Sequence, residues 1–402
     1  MAETSFKIYG YRWVVLLAFM LVVGINQLAW ITFAPITSAA AAYYSVPDLS
    51  IGLLSMCFMV VYLFVSFPAS WCIDTYGIRV AVGMGAALTG IFGLLRGLAA
   101  SSFTWVFIAQ IGIAVGQPFI LNAVTTVAAR WFPIRERATA AGLGSLAIYV
   151  GIMAGMALTP LLTLASSINT MLLIYGIAAV IIAFIFFMTA RERPPSPPCP
   201  PGQDERSLVM DGFKQMIRQK DFLILLFTFF IGLGAFNAIT TWIENILHPR
   251  GFSIAQAGVA GGLMIVGGIV GALSLPTLSD RYRKRASFIV LCLTGATLGM
   301  LGVTYASAYG LLLVSAFVLG FFLLAAGPIG YQYAAEITYP APEGTSNGLL
   351  LLMGQISGII FILGMDSLKS PETGSMTASL LVLIILMAVT VILSTRLKES
   401  LK

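Results

Sequence analysis

The chain has 402 residues, of which 59% are hydrophobic and only 9% charged; its mean hydropathy is +0.96 and its net charge +6. These proportions leave too little polar material for a soluble domain of any size and place the chain in a lipid bilayer. Its four cysteines form neither a disulfide framework nor a metal-ligand spacing, and nucleic acid is not an expected partner.

A helix crosses a hydrocarbon core of about 30 Å with about 20 mostly apolar residues. In chain order such stretches are predicted near 11–36, 50–73, 78–100, 103–129, 137–163, 168–189, 221–247, 253–278, 286–305, 309–334, 346–368 and 377–396. The sequence therefore predicts an all-α membrane protein with 12 transmembrane helices. The first stretch is too long for a signal peptide and Met1–Gly10 carries no cleavage pattern, so it is expected to be kept as helix 1.

Among the 22 Lys and Arg, only Arg96, Arg250 and Lys369 fall in the connections on one side, and the other 19 share the opposite side. Basic residues in short loops stay in the cytoplasm. Both termini are therefore expected there, in a multi-pass protein of the cell membrane that acts as a monomer. The longest polar break divides the chain into an N-terminal six-helix bundle over 1–190, a cytoplasmic linker over 191–220 and a C-terminal bundle over 221–402. The linker opens on the proline-rich run from Arg193 to Gly202, which forbids a regular helix, and then becomes a short amphipathic helix from Leu208 to Ile217.

An internal repeat supports that division. Asp74-Thr-Tyr-Gly-Ile-Arg79 follows span 2 and Asp280-Arg-Tyr-Arg-Lys-Arg285 follows span 8, with Asp280 lying 206 positions after Asp74. Trp131-Phe-Pro with Thr139-Ala-Ala-Gly-Leu143 is echoed by Thr338-Tyr-Pro with Thr345-Ser-Asn-Gly-Leu349, and Gly348 again lies 206 after Gly142. Two six-helix halves repeated in one orientation are the layout of the major facilitator transporters, whose substrate site lies near the bilayer midplane. An acid followed by bases in a tight turn can contact helix ends and hold one state of such a carrier. Asp74, Gly77 and Arg79 resemble the superfamily's loop motif, with Ser70 where a glycine is usual. Asp280, Arg281, Arg283 and Arg285 are the second-half echo, and these seven residues form the candidate conformational gate.

Individual spans carry a closer resemblance. Asn26-Gln-Leu-Ala-Trp30-Ile, Leu54 to Tyr62 leading to Phe67-Pro-Ala-Ser-Trp71, Gly116-Gln-Pro-Phe-Ile120 with Arg130-Trp-Phe132, and Glu336-Ile-Thr-Tyr-Pro340 before Glu343-Gly-Thr-Ser-Asn-Gly-Leu349 and Gln355 resemble the feline leukaemia virus subgroup C receptor-related family. The likeness covers roughly 10–370. It implies a major facilitator transporter from a family associated with choline and ethanolamine movement and with haem export.

No mid-membrane carboxylate is visible, since Glu244 and Asp366 lie toward the outer ends of spans 7 and 11, and the single histidine, His248, lies in an outer loop. Intramembrane ionisable residues are costly and are kept for proton relays. Their absence favours a facilitative uniporter. The alternative, a proton-coupled carrier of an organic anion, haem or a vitamin-like solute, requires Arg96 to reach the cavity; otherwise Arg96 is expected to snorkel to the interface. An enzyme would need positioned nucleophiles, acids or metal ligands. The sequence holds no histidine pair, no Gly-x-Ser-x-Gly elbow and no phosphate-cradling loop, so no catalytic residue, metal or cofactor is expected.

What the spans offer is neutral polar and aromatic groups that are unfavourable against lipid. Trp30, Asn26, Gln117, Asn122, Tyr149, Asn237, Tyr331 and Gln355 are the candidate contacts for a small-molecule substrate, with Gln27, Trp242 and Gln332 beside them. Trp30 leads them, because an indole face attracts a quaternary ammonium without any carboxylate. The resemblance implies the same role for it, in a cage around a cationic ligand. The chain departs from some family members at Tyr149, in place of a glutamine, at Asn237, in place of a tyrosine, and at Ala29, in place of a glutamine.

Overall fold

The computed structural model describes residues 8–196, 218–338 and 343–399, apart from the side chains of 134, 135, 138 and 343–345. The amphipathic segment expected over Leu208–Ile217, Cys199 and the pair Tyr339-Pro340 lie outside the described residues. The described residues contain twelve helices long and apolar enough to cross a membrane. Helices are what such a sequence must form in lipid, because each helix satisfies its own backbone groups where water is missing. Outward faces carry Leu164, Phe184, Leu298 and Ile392 in exposed positions, which suit hydrocarbon.

The helices fall into two compact units. The first comprises Met1–Thr32, Ala42–Val46 and Leu53–Arg206. It contains α1 (Arg12–Ile31), the end of α2 (Thr37–Tyr44), most of α3 (Asp48–Tyr76), α4 (Ile78–Leu98), α5 (Phe103–Leu121), α6 (Val124–Trp131), α7 (Ile134–Ala165) and α8 (Ile168–Thr189). Its core gathers Phe19 and Val22 of α1, Ile120 of α5, Trp131 of α6 with Phe132 just after it, and Phe186 of α8.

The second unit comprises Phe33–Ala41, Pro47–Gly52 and Ser207–Lys402. Two short stretches from early in the chain thus pack with α9 (Lys220–Thr241), α10 (Ile243–Leu247), α11 (Ile254–Tyr282), α12 (Ala286–Tyr305), α13 (Tyr309–Thr338), α14 (Glu343–Ser367) and α15 (Thr377–Ser394). Phe222, Leu225, Ile289, Ile329 and Tyr333 fill its core. A Cβ on Gly271 would collide with the Phe321 carbonyl, and one on Gly320 with the Met264 carbonyl, so small residues bring α11 and α13 into backbone contact. Ser253 starts α11 with a reciprocal capping box to Gln256.

Three spans differ from their expected form. Helix 1 does not stop at 36. After α1 it tightens into a 3-10 turn over Ala34–Ile36 and continues as α2 to Tyr44, because Pro35 has no N–H for the regular ladder. Span 4 breaks between α5 and α6, where Asn122 and Ala123 close a tight turn through N–H bonds to the carbonyls of Pro118 and Ile120. Span 7 ends at Thr241, and Trp242 turns the chain into α10.

Candidate functional site

In the first unit the candidate contacts cluster along α1. Asn26, Gln27 and Trp30 lie three and four residues apart and share one helix face. Asn26 is fully buried; its amide nitrogen donates to Thr89 Oγ1 at 3.1 Å and to the Ile113 carbonyl at 3.4 Å, tying α1 to α4 and α5. Trp30 is buried, and its indole N–H donates to the Ser55 carbonyl at 3.1 Å while Ser55 Oγ donates back to the Trp30 carbonyl at 3.4 Å. Asn26 Oδ1 and Gln27 Nε2 are buried and find no hydrogen-bond partner among the described residues. A buried polar atom without a partner costs about 1–3 kcal/mol.

Arg96 does not snorkel. It is 1% exposed, and its Nη1 donates to Gln110 Oε1 at 2.6 Å and to the Ala29 carbonyl at 3.1 Å; Gln110 Nε2 reaches the same carbonyl, also at 3.1 Å. The other two bases on the sparsely charged side also work locally. Arg250 donates to the carbonyls of Val303, at 2.5 Å, and Ala306, occupying orphan acceptors at the end of α12, and burial pulls its guanidinium below the usual arginine range. Lys369 pairs with Asp48.

The remaining candidates differ in what holds them. Asn122 is held on α3: Tyr62 Oη donates to its Oδ1 at 2.7 Å, and its Nδ2 donates to Ser66 Oγ and Ser70 Oγ, both at 3.0 Å. That places Asn122 at the α5–α6 turn as a helix tie, and gives Ser70 a task in place of the usual glycine. Gln117 is buried on α5, and Tyr149 is half-buried on α7. In the second unit, Asn237 donates to the Gly354 carbonyl at 3.2 Å, beside half-buried Gln355. Tyr331 packs its ring 5.0 Å from Phe229. Gln332 donates to Glu336, and Trp242 is fully buried with its indole N–H on the Ile362 carbonyl.

At the first loop motif the helix cap comes from a side chain that the sequence reading does not single out. Asp74 and Arg79 are exposed. The carboxylate that caps α4 comes from Glu192, just after α8, and accepts from Ile78 N at 3.2 Å and Arg79 N at 2.8 Å while pairing with Arg130. Gly77, at φ +92°, leaves room for it, since a Cβ there would overlap the carboxylate. At the second motif Glu399 caps α12, accepting from Arg285 N at 2.6 Å, Ala286 N at 3.0 Å and Ser287 N at 2.9 Å. Burial pushes the Glu399 carboxyl up, but the bonds from Ser287, Ala286 and Arg285 outweigh it and hold the group below the usual range. Arg285, itself buried, pairs with Asp280 and with Glu336 at 3.2 Å. Arg283 occupies the left-handed region at φ +53°, and Arg281 lies in the last turn of α11. Sequence reading missed Glu192 and Glu399. The available signal was their position, each following a basic residue just beyond the last span of its half.

A third constellation lies in the second unit. Glu244, fully buried in α10, accepts from Ser38 N at 3.0 Å and Ser38 Oγ at 2.5 Å, which caps the start of α2. Asp48 accepts from Asn245 at 2.8 Å and from Lys369. Ser38, Asp48, Asn245, Lys369 and His248 line a pocket of about 420 Å³ beside Glu244. Burial pushes the Glu244 carboxyl up; the Ser38 bonds and His248 pull it down and Asp48 adds to the rise, so the group sits above the usual carboxylate range.

Comparison with known proteins follows the same lines. Residues 19–362 match the family profile described as Major Facilitator Superfamily. Solute carrier family 49 member A3 of Xenopus tropicalis is 31% identical over 389 residues, spanning 92% of this chain and 80% of that protein. Choline/ethanolamine transporter FLVCR1 of Mus musculus is 32% identical over 407 residues, spanning 90% of this chain and 72% of that protein. The crystal structure of a bacterial homologue of the human lysosomal transporter Spinster, in an inward-facing and unoccupied conformation, superposes with a TM-score of 0.77 at 18% identity. It covers 98% of this chain and 99% of its own, a likeness of fold.

Proposed function

The chain belongs to the major facilitator superfamily, and from that premise we propose that it carries a small organic amine of the choline or ethanolamine type across the membrane by alternating access. Its family is one of transporters and not of enzymes. The observation that carries the substrate class is the face of α1, where Trp30 sits within one turn of the unpartnered Asn26 Oδ1 and Gln27 Nε2. An indole attracts a quaternary ammonium by about 0.5–2 kcal/mol, and the neighbouring amides suit the hydroxyl of an amino alcohol. Gln117 and Tyr149 from the first unit, and Asn237, Tyr331 and Gln355 from the second, are the further contacts proposed. The relatives named as choline/ethanolamine transporters support this reading. Residues 1–190 and 221–402 are proposed as the moving halves, joined by the linker over 191–220, with both termini in the cytoplasm. Purified protein in liposomes tests the proposal: radiolabelled choline or ethanolamine should equilibrate with its gradient, and turnover of solute without translocation would contradict it.

One observation favours a role for protons. Glu244 clasps Ser38 from a fully buried position, and its release in one transport state is part of this second reading, since the two residues fall in 221–402 and 1–190, the halves proposed to move. The Ser38 donors favour the ionised carboxylate, so protonation as pH falls through the raised value weakens the clasp. Choline transport by the wild type should therefore change with pH around that value, and Glu244→Gln should flatten the profile. If an imposed proton gradient drives accumulation above equilibrium, the proton-coupled carrier replaces the uniporter.

A further inference from the structure

Beside the α1 face lies a group that cargo binding alone does not explain. An arginine inside a membrane span is costly and calls for a specific use. Arg96 on α4 and Gln110 on α5 both donate to the carbonyl of Ala29, each at 3.1 Å, and Arg96 also donates to Gln110 Oε1 at 2.6 Å. The three groups form a closed triangle of hydrogen bonds.

The Ala29 carbonyl belongs to the peptide plane whose other end is the Cα of Trp30. A trans peptide is rigid, so fixing that oxygen fixes the Trp30 backbone. The far end of the same residue is fixed separately, by the indole N–H on the Ser55 carbonyl. Beyond Trp30 the helix loses its own hold: Thr32 Oγ1 turns back to the Leu28 carbonyl at 2.8 Å, and Pro35 cannot donate to Ile31. The last turn of α1 would otherwise be the least constrained part of the helix.

We propose that Arg96 and Gln110 are positioning residues, a buried clamp that holds the Ala29–Trp30 peptide and thereby sets the orientation of the Trp30 ring. The inference rests on the reading of Trp30 as a cargo contact. It also assigns Arg96 a structural charge rather than an anion-binding one. Arg96 makes both bonds from Nη1, whose two hydrogens lie fixed in the guanidinium plane, a geometry the freely rotating ammonium of lysine does not impose.

The test uses the full-length protein with 5-fluorotryptophan at all six tryptophans, the Trp30 fluorine line being assigned by its loss in Trp30→Phe. In Gln110→Leu and in Arg96→Lys, the Trp30 line should shift or split while the other five stay in place. If Arg96→Lys does not fold, Gln110→Leu and the shorter Gln110→Asn decide the matter. An unmoved Trp30 line in folded Gln110→Leu overturns the proposal, and so does movement of all six lines, which would mean general repacking. This arm needs no substrate, so failure of choline to bind counts against the transport reading alone. Where choline binds, Gln110→Leu should weaken it roughly ten-fold in the wild type and less than about two-fold in Trp30→Phe, because groups acting through one residue are not additive. Equal losses in the two backgrounds would show that the clamp does not act through Trp30.

Discussion

The two loop-motif corners solve one problem with different chemistry. In each, a helix begins just after the motif and its first N–H groups are capped by a carboxylate from beyond the last span of the same half, Glu192 for α4 and Glu399 for α12. The first corner relies on a glycine at φ +92° and one ion pair, Arg130 with Glu192. The second admits a non-glycine residue, Arg283, at φ +53° and surrounds the buried Arg285 with Asp280 and Glu336. One corner therefore depends on backbone shape and the other on a charge network. A repeat in sequence conserves the task of a corner more closely than the side chains that perform it.

The sharpest way to break this comparison is at the glycine. Gly77→Ala should cost about 1–3 kcal/mol, since it forces a Cβ into a left-handed position already filled by the Glu192 carboxylate. Arg283→Ala should stay within about 0.5 kcal/mol, because a side chain with a Cβ already occupies that conformation. Thermal unfolding in detergent measures both, and equal losses would erase the distinction.

Removing the caps comes next in size. Glu192→Gln and Glu399→Gln should each cost about 0.5–2 kcal/mol. For Glu399 the loss depends on pH. The lowered Glu399 carboxyl stabilises the fold above the ordinary carboxylate range, and that contribution disappears as pH falls through its depressed value. The acid limb of the thermal midpoint should consequently flatten in Glu399→Gln.

The smallest effects separate the two acids of the motif itself. Asp280→Asn weakens the pair with Arg285, which is mostly exposed on the aspartate side, and should cost up to about 1 kcal/mol. Asp74→Asn should leave stability within about 0.5 kcal/mol, any consequence appearing only in transport rate. A larger loss at Asp74 than at Asp280 would reverse the assignment of the two corners.

The twelve spans were legible because lipid imposes a length and a polarity that the sequence cannot hide, and the 206-residue offset pointed to both corners. Less legible were groups whose role depends on partners far away in the chain. Glu192 and Glu399 read as unremarkable end charges until their N–H partners more than 110 positions away are known. Arg96 looked like an interfacial base because its partners are a carbonyl and an amide, neither of which has a charge signature. Asn122 looked like a cargo contact, yet Tyr62, Ser66 and Ser70 engage it. Glu244 lay close enough to a span end to pass for a solvated acid, whereas α10 folds it inward.

Choline binding and uptake by Trp30 variants in liposomes test the central claim most directly. Trp30→Ala should lose roughly 5- to 150-fold in affinity, equivalent to about 1–3 kcal/mol, and Trp30→Phe should keep part of it because a benzene face is a weaker cation acceptor than indole. Folded Trp30→Ala protein that binds and carries choline with unchanged affinity would contradict the account and move the search to Gln117 and Tyr149.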